Sequence, residues 1–186
     1  MPNWCSNDIA ITGPRDKIRA LWDAAQAESS GLLNALVPMP DNVFKGNLGE
    51  EERKMCEEQG IPNWYDWSVA NWGTKWDVDP EGLEYTEDGD TATISGWMDT
   101  AWAPPVEAAQ TYGEANPDVS ITLDYNEGGM CFVGQYVIEN GEGFDDCVDY
   151  GGATAETVRD MIGGDYDDRW NLSEQMAEWE EDFADA

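Results

Sequence analysis

The stretch Asn71-Trp72-Gly73-Thr74-Lys75-Trp76-Asp77 constrains the fold more than any other. It sets two tryptophans, a turn-forming glycine and a lysine into one short run of a chain that is poor in lysine. Trp64, Tyr65 and Trp67 lie just upstream, and Trp97 and Trp102 precede Ala103-Pro104-Pro105 downstream. Each such ring can bury about 150–250 Å², so the cluster reads as the heart of a core. A chain of 186 residues with ten tryptophans and 41% hydrophobic residues is expected to fold as one compact domain plus an extension.

Charge works against that core. Forty acids face nine bases, for a net charge of -31, and there is no histidine. Self-repulsion on this scale loosens a compact state while aiding solubility. It argues against direct nucleic-acid binding, because phosphates are held chiefly by Lys and Arg. Anionic membrane surfaces are disfavoured for the same reason. No apolar run follows a basic start and none approaches about 18 residues, so neither a signal peptide nor a membrane span is expected. Cys5, Cys56, Cys131 and Cys147 form no CxxC pair. An even count permits disulfides, but without a secretory signal reduced thiols in a cytosol are the expectation.

Taken in order, Met1–Thr12 alternates as a strand stopped by Gly13-Pro14, and Arg15–Glu28 carries Ile18, Leu21, Trp22 and Ala25 at helical spacing. Leu32–Val37 reads as a connection over the core, Gly49–Gln59 as a charged helix and Asn63–Asn71 as a further helix. Thr74–Val78 is expected to be a strand, and Asp79–Asp90 a turn-rich acidic loop. Thr91–Thr100 alternates as a strand, Pro104-Pro105 opens a helix to about Ala115, and Val119–Tyr125 and Met130–Ile138 form a hairpin across Gly128-Gly129. This order predicts an α+β fold: a ferredoxin-like antiparallel sheet with helices on one face, over residues 1–140, with a helical insert at about 32–72. From Glu139 onward sixteen acids meet two bases, Arg159 and Arg169. Residues 141–186 are therefore expected to be an acidic helical extension, with helices at Thr154–Ile162 and Asn171–Phe183. The last could simply dock on the sheet, or could present its carboxylates to a basic groove.

The runs Met1-Pro2-Asn3-Trp4-Cys5-Ser6-Asn7, Ile11-Thr12-Gly13, Pro38-Met39-Pro40, Trp72-Gly73-Thr74-Lys75-Trp76, Thr100-Ala101-Trp102-Ala103-Pro104-Pro105 and Tyr125-x-Glu127-x-Gly129 resemble the YubB-like proteins of phages and plasmids. The resemblance covers about residues 1–140. It implies a mobile-element origin and a ferredoxin-like domain, and it carries over no catalytic residue or ligand. The acidic tail and the scarcity of lysine are departures from that family.

Without histidine there is no Ser-His or Cys-His pair and no imidazole ligand, so no catalytic site, cofactor or metal site is expected. Asp77-x-Asp79-x-Glu81-Gly82 with Asp88 half-matches a calcium loop, but Pro80 interrupts it and Asp88 stands where a bidentate Glu belongs. Lys75 is expected to sit against Trp72 or Trp76, or to pair with Asp77. The charge then leaves two readings. In one, the chain is a phage-encoded DNA mimic, not an enzyme, that works in the host cytoplasm. It occupies the basic nucleic-acid-binding groove of a host defence protein (CRISPR or restriction) or repair protein, and it is a homodimer if the site imitated is two-fold. In the other, acidity serves solubility or a salty cytosol. The partner-binding residues expected for the first are Asp145, Asp146, Asp149, Asp165, Asp167, Asp168, Glu178, Glu180, Glu181 and Asp182.

Overall fold

A computed structural model describes residues 2–28 and 30–184. Strand β1 (Trp4–Pro14) lies at the centre of a six-stranded sheet because its alternation is strict, with Cys5, Asn7, Ile9 and Ile11 all buried on one face. Helix α1 (Arg15–Ala25) returns across that face and buries Ile18, Leu21 and Ala25. Next come α2 (Leu32–Leu36), α3 (Glu50–Gln59) and α4 (Trp64–Trp72), which make up the insert expected at 32–72. Asn63 caps α4 by accepting the Asp66 N–H at 3.0 Å, and Gly73 ends it with φ 82°, a left-handed turn that favours glycine.

The remaining strands are β2 (Leu83–Asp88), β3 (Thr91–Ala101), β4 (Ser120–Glu127), β5 (Phe132–Glu139) and β6 (Glu142–Asp149), with α5 (Val106–Ala115) between β3 and β4. They order as β2-β3-β1-β4-β5-β6, each neighbouring pair antiparallel. The first four strands are the doubly split β-α-β plan of a ferredoxin-like domain. β5 and β6 extend it as a meander. The main core joins Ile9, Ile11, Ile94, Ile121, Leu123 and Ile138 of the sheet to α1, α2 and α5.

Three elements differ from the sequence reading. Thr74–Val78 is a loop, because Asp77 is spent on another element: its Oδ1 accepts N–H groups of Leu33 (2.8 Å), Asn34 (3.2 Å) and Val78 (2.8 Å). Leu32–Leu36 thereby gains the cap that makes it a helix, since Gly31 offers no side chain to do so. The acidic segment 79–90 holds a short 3₁₀ turn (Pro80–Gly82) and then β2, whose Leu83 packs inward while the acids around it face solvent. Of the half-matched calcium positions only Asp88 lies on β2, and the strand, rising about 3.3 Å per residue, carries it away from Asp77, Asp79 and Glu81 instead of folding back to them as a calcium loop does.

The sheet also runs across the division expected at residue 140. Strand β6 pairs with β5 over its whole length through a two-residue turn, Asn140-Gly141, with φ of 54° and 78°. After it come α6 (Val158–Ile162), α7 (Gly164–Trp170) and α8 (Leu172–Ala184). They build a second core of Val133, Tyr150, Val158, Ile162, Trp170 and Leu172 on the opposite face of β5. Gly134 shows how tightly β4, β5 and β6 fit. The Tyr125 ring crosses it so that its hydroxyl can donate to Asp145 Oδ1 at 2.6 Å. A Cβ at 134 would strike that ring and the Asp146 carbonyl. Gly134→Val is expected to cost about 2 kcal/mol, read as a lower denaturant midpoint with an unchanged slope.

Candidate functional site

The ten acids singled out from the sequence come together in one C-terminal unit, though they do not all face outward. Asp145, Asp146 and Asp149 line β6; Asp165, Asp167 and Asp168 lie in α7; Glu178, Glu180, Glu181 and Asp182 lie in α8. Nine of them are exposed, the exception being Asp167.

Asp167 is 3% exposed and works as a structural clamp, which corrects its expected role at a partner surface. Its Oδ2 accepts from Arg159 (2.8 Å) and from Ser173 Oγ (2.8 Å), and its Oδ1 from the Ser173 N–H (2.7 Å). Burial alone would push its pKa up. The two Ser173 bonds and the Arg159 guanidinium outweigh that and hold the carboxyl below its usual range. Arg159 also reaches Asp168 at 2.6 Å. Arg169 pins α7 to the sheet by pairing with Asp8 at 2.9 Å and the buried Asp124 at 3.1 Å. Both cations of the tail are therefore already paired, Arg159 within it and Arg169 with the sheet.

Several of the exposed acids are positioned by hydrogen bonds. Tyr125 holds Asp145, Tyr166 holds Asp146 at 3.0 Å, Asp149 caps the Gly151 N–H at 2.7 Å, and Glu180 accepts the Ala155 N–H at 3.0 Å. Desolvation and the neighbouring Asp145 together raise the Tyr125 hydroxyl well above its ordinary value, so it remains a donor to that carboxylate. Among the described residues, Arg15, Lys17, Arg19, Arg53, Lys54, Arg159 and Arg169 sit in ion pairs with the chain's own acids. The field that reaches solvent is negative.

The tryptophan cluster divides in a way its sequence does not show. Trp72 is buried, and its indole N–H donates to the Val37 carbonyl at 2.9 Å. Trp76, Trp97 and Trp102 are instead exposed, at 39%, 54% and 38%, with Trp4 beside them at 51%, while Trp64, Tyr65 and Trp67 are half-buried, so part of the expected heart of the core is surface. Lys75 stands among these rings, 4.3 Å from the centre of Trp76, 5.3 Å from Trp102 and 5.8 Å from Tyr65. Its aromatic partners include the expected Trp76, while Trp72 lies in the core. Trp102 has φ 72°, a left-handed conformation that is costly for a bulky side chain. Its N–H bond to the Asn3 carbonyl at 2.9 Å anchors that backbone. Cys5, below this cluster, is buried; desolvation and the nearby Glu127 push its thiol up to about 12, so it stays protonated and unreactive.

Residues 83–181 match the family model of the ferredoxin-like domain in Api92-like protein, more than half of the chain. The chain belongs to the Api92-like family. The matched span of this Api92-like chain begins at β2 and takes in the meander, the second core and most of α8. The ferredoxin-like domain implied by the YubB-like resemblance is thus confirmed, whereas the comparisons lend no support to the YubB-like family itself. A solved structure, the protein api92 from Yersinia pseudotuberculosis, is similar over 82% of this chain and 99% of that one, with 11% identity and a TM-score of 0.46. No curated protein matches the sequence. Among the described residues, no helix is long and apolar enough to cross a membrane.

Proposed function

We propose that this chain is a non-catalytic acidic binding protein of mobile-element origin, a DNA mimic that fills the nucleic-acid-binding groove of a basic host protein in the host cytoplasm. One observation supports the reading most: the tail acids are fixed on folded elements instead of trailing as a flexible run. Glu142, Asp145, Asp146 and Asp149 lie on one edge strand. Successive residues of such a strand advance about 3.3 Å, close to the ~3.4 Å per phosphate along one DNA strand. The four carboxylates, three, one and three residues apart, fall near multiples of that interval, and being fixed there they can replace phosphates, and their counterion release, without the cost of ordering a disordered tail. The same charges also keep the open edge of β6 from pairing with a second copy, so a homodimer would use another face.

A second reading has its own support. Exposed acids also crowd α3 (Glu50, Glu51, Glu57, Glu58) and the β2–β3 hairpin (Glu84, Glu87, Asp88, Asp90). Acidity spread over unrelated elements is what solubility or salt adaptation would produce.

Affinity capture from nuclease-treated host lysate separates the two readings. The decoy reading expects one stoichiometric basic partner that duplex DNA displaces and roughly 0.5 M salt weakens. Reversal of Asp145, Asp146, Asp149, Glu178 and Glu181 to lysine should abolish capture, and single alanines should change it only modestly. Recovery of scattered basic proteins, all lost at moderate salt and indifferent to the reversal, sinks the decoy reading.

A further inference from the structure

We propose that the cleft between Trp4 and Trp76 is a guanidinium site that takes an arginine side chain of a partner protein. The cleft has a volume of about 270 Å³, and its lining includes Trp4, Trp76, Asp77, Asp79, Met98 and Asp99. The two indoles form a wedge, with centroids 5.9 Å apart and planes tilted by 38°. Both rings are substantially exposed, and neither belongs to the main core. Together they form an exposed aromatic patch rimmed by polar residues, the kind of surface that marks an interaction site.

Charge selects the occupant. Three carboxylates border the wedge, and two of them, Asp79 and Asp99, are exposed. Each is oriented by one bond: Ser6 Oγ donates to Asp99 Oδ1 at 2.9 Å, and the Glu81 N–H to Asp79 Oδ1 at 2.9 Å. A phosphate, or a nucleobase with its backbone, would be repelled here, whereas a cation is attracted by both the ring faces and the acids. Lys75, 4.3 Å from the Trp76 ring centre, shows that this indole already accepts a cation. Among organic cations, guanidinium is the one whose flat, weakly hydrated surface stacks on an open indole face of the wedge while its forked N–H groups meet carboxylates in its plane. An ammonium is compact, strongly hydrated and unable to fill the wedge. The inference shares with the decoy reading only that the partner is basic, and the cleft can be tested alone.

The test uses the intact protein with ¹⁵N-labelled tryptophan, titrated with Nα-acetyl-arginine amide at constant ionic strength. The indole N–H resonances of Trp4 and Trp76, assigned through Trp→Phe variants, should shift with a saturable curve. The citrulline amide, which has the same shape and no charge, should leave them in place. Trp4→Ala and the isosteric Asp99→Asn should each weaken binding roughly tenfold, while Glu178→Gln in the tail should have no effect. Equal shifts with citrulline amide, no saturation, or equal weakening by Glu178→Gln would overturn the proposal. A positive titration beside a failed lysate capture would leave the site standing and remove the decoy.

Discussion

Replacing Asp167 by alanine should loosen α6, α7 and α8 from one another, at a cost of about 3 kcal/mol. The size follows from what the substitution leaves behind. Arg159 would keep only its exposed partner Asp168, and the Ser173 N–H and Oγ would lose their acceptor in a half-buried setting. Each stranded donor costs about 1–3 kcal/mol, while a surface pair such as Arg159–Asp168 returns less than about 1 kcal/mol. The helices would then rely on the packing of Val158, Ile162, Trp170 and Leu172 against Val133 and Tyr150, on the Trp170 edge against Trp97 at 5.3 Å and on the Arg169 pairs with Asp8 and Asp124. Hydrogen exchange should show faster opening in α6–α8 and little change in β1, β3 and β4. Uniform loss of protection across the sheet would contradict the clamp.

The wild-type protein carries the same dependence on pH. The Asp167 carboxyl lies below its ordinary value in the folded state, so its contribution is fully present above about pH 4. It fades as pH falls through the depressed folded value. The tail should therefore loosen at acid pH in the wild type, and Asp167→Asn should remove most of that dependence.

The sequence shows β1, α1, β3, α5, β4 and β5 plainly, because their apolar residues repeat at strand or helix spacing and one face of each is buried. It hides β2 and β6, since acids take more than half of the positions that solvent can reach and few apolar residues mark a buried face. Yet both strands are announced by their turns, Gly89-Asp90 and Asn140-Gly141, which are two-residue hairpin signals. Asp167 could not be recognised as buried, because its partners Arg159 and Ser173 stand 8 and 6 residues away and meet it only once α6 and α8 pack. The tryptophans mislead for a related reason. Composition shows that large rings exist, but whether Trp72 or Trp76 turns inward depends on how Gly73 aims the chain. The surface at Trp4 and Trp76 is therefore a product of tertiary structure, with Thr100–Pro105 and its left-handed Trp102 as its one local trace.

Between about 10 mM and 1 M NaCl the melting temperature should rise by on the order of 10 °C. The net charge of -31 resides on a surface whose cations are mostly paired already, so each remaining acid sees chiefly other acids. At about 10 mM salt the screening length is roughly 30 Å, and every such pair on a molecule of this size repels; at about 1 M it is roughly 3 Å, and only immediate neighbours do. Salt also weakens the attractive pairs, but the exposed ones contribute less than about 1 kcal/mol each, and the buried contacts of Asp167 and Asp124 are little screened. Repulsion therefore dominates the sign. NaCl is the appropriate salt, because sulfate would add a separate strengthening of apolar burial. A flat or falling melting temperature would show that the acids are too far apart to strain the fold. The dilute end of the curve bears on function. Two cores and the Arg169 bolt should keep the protein folded there, with its carboxylates unscreened and able to draw a basic partner. Collapse to an unfolded chain in dilute buffer, reversed by molar KCl, would instead make the acidity an adaptation to salt and leave the Trp4–Trp76 cleft as the place to look for a ligand.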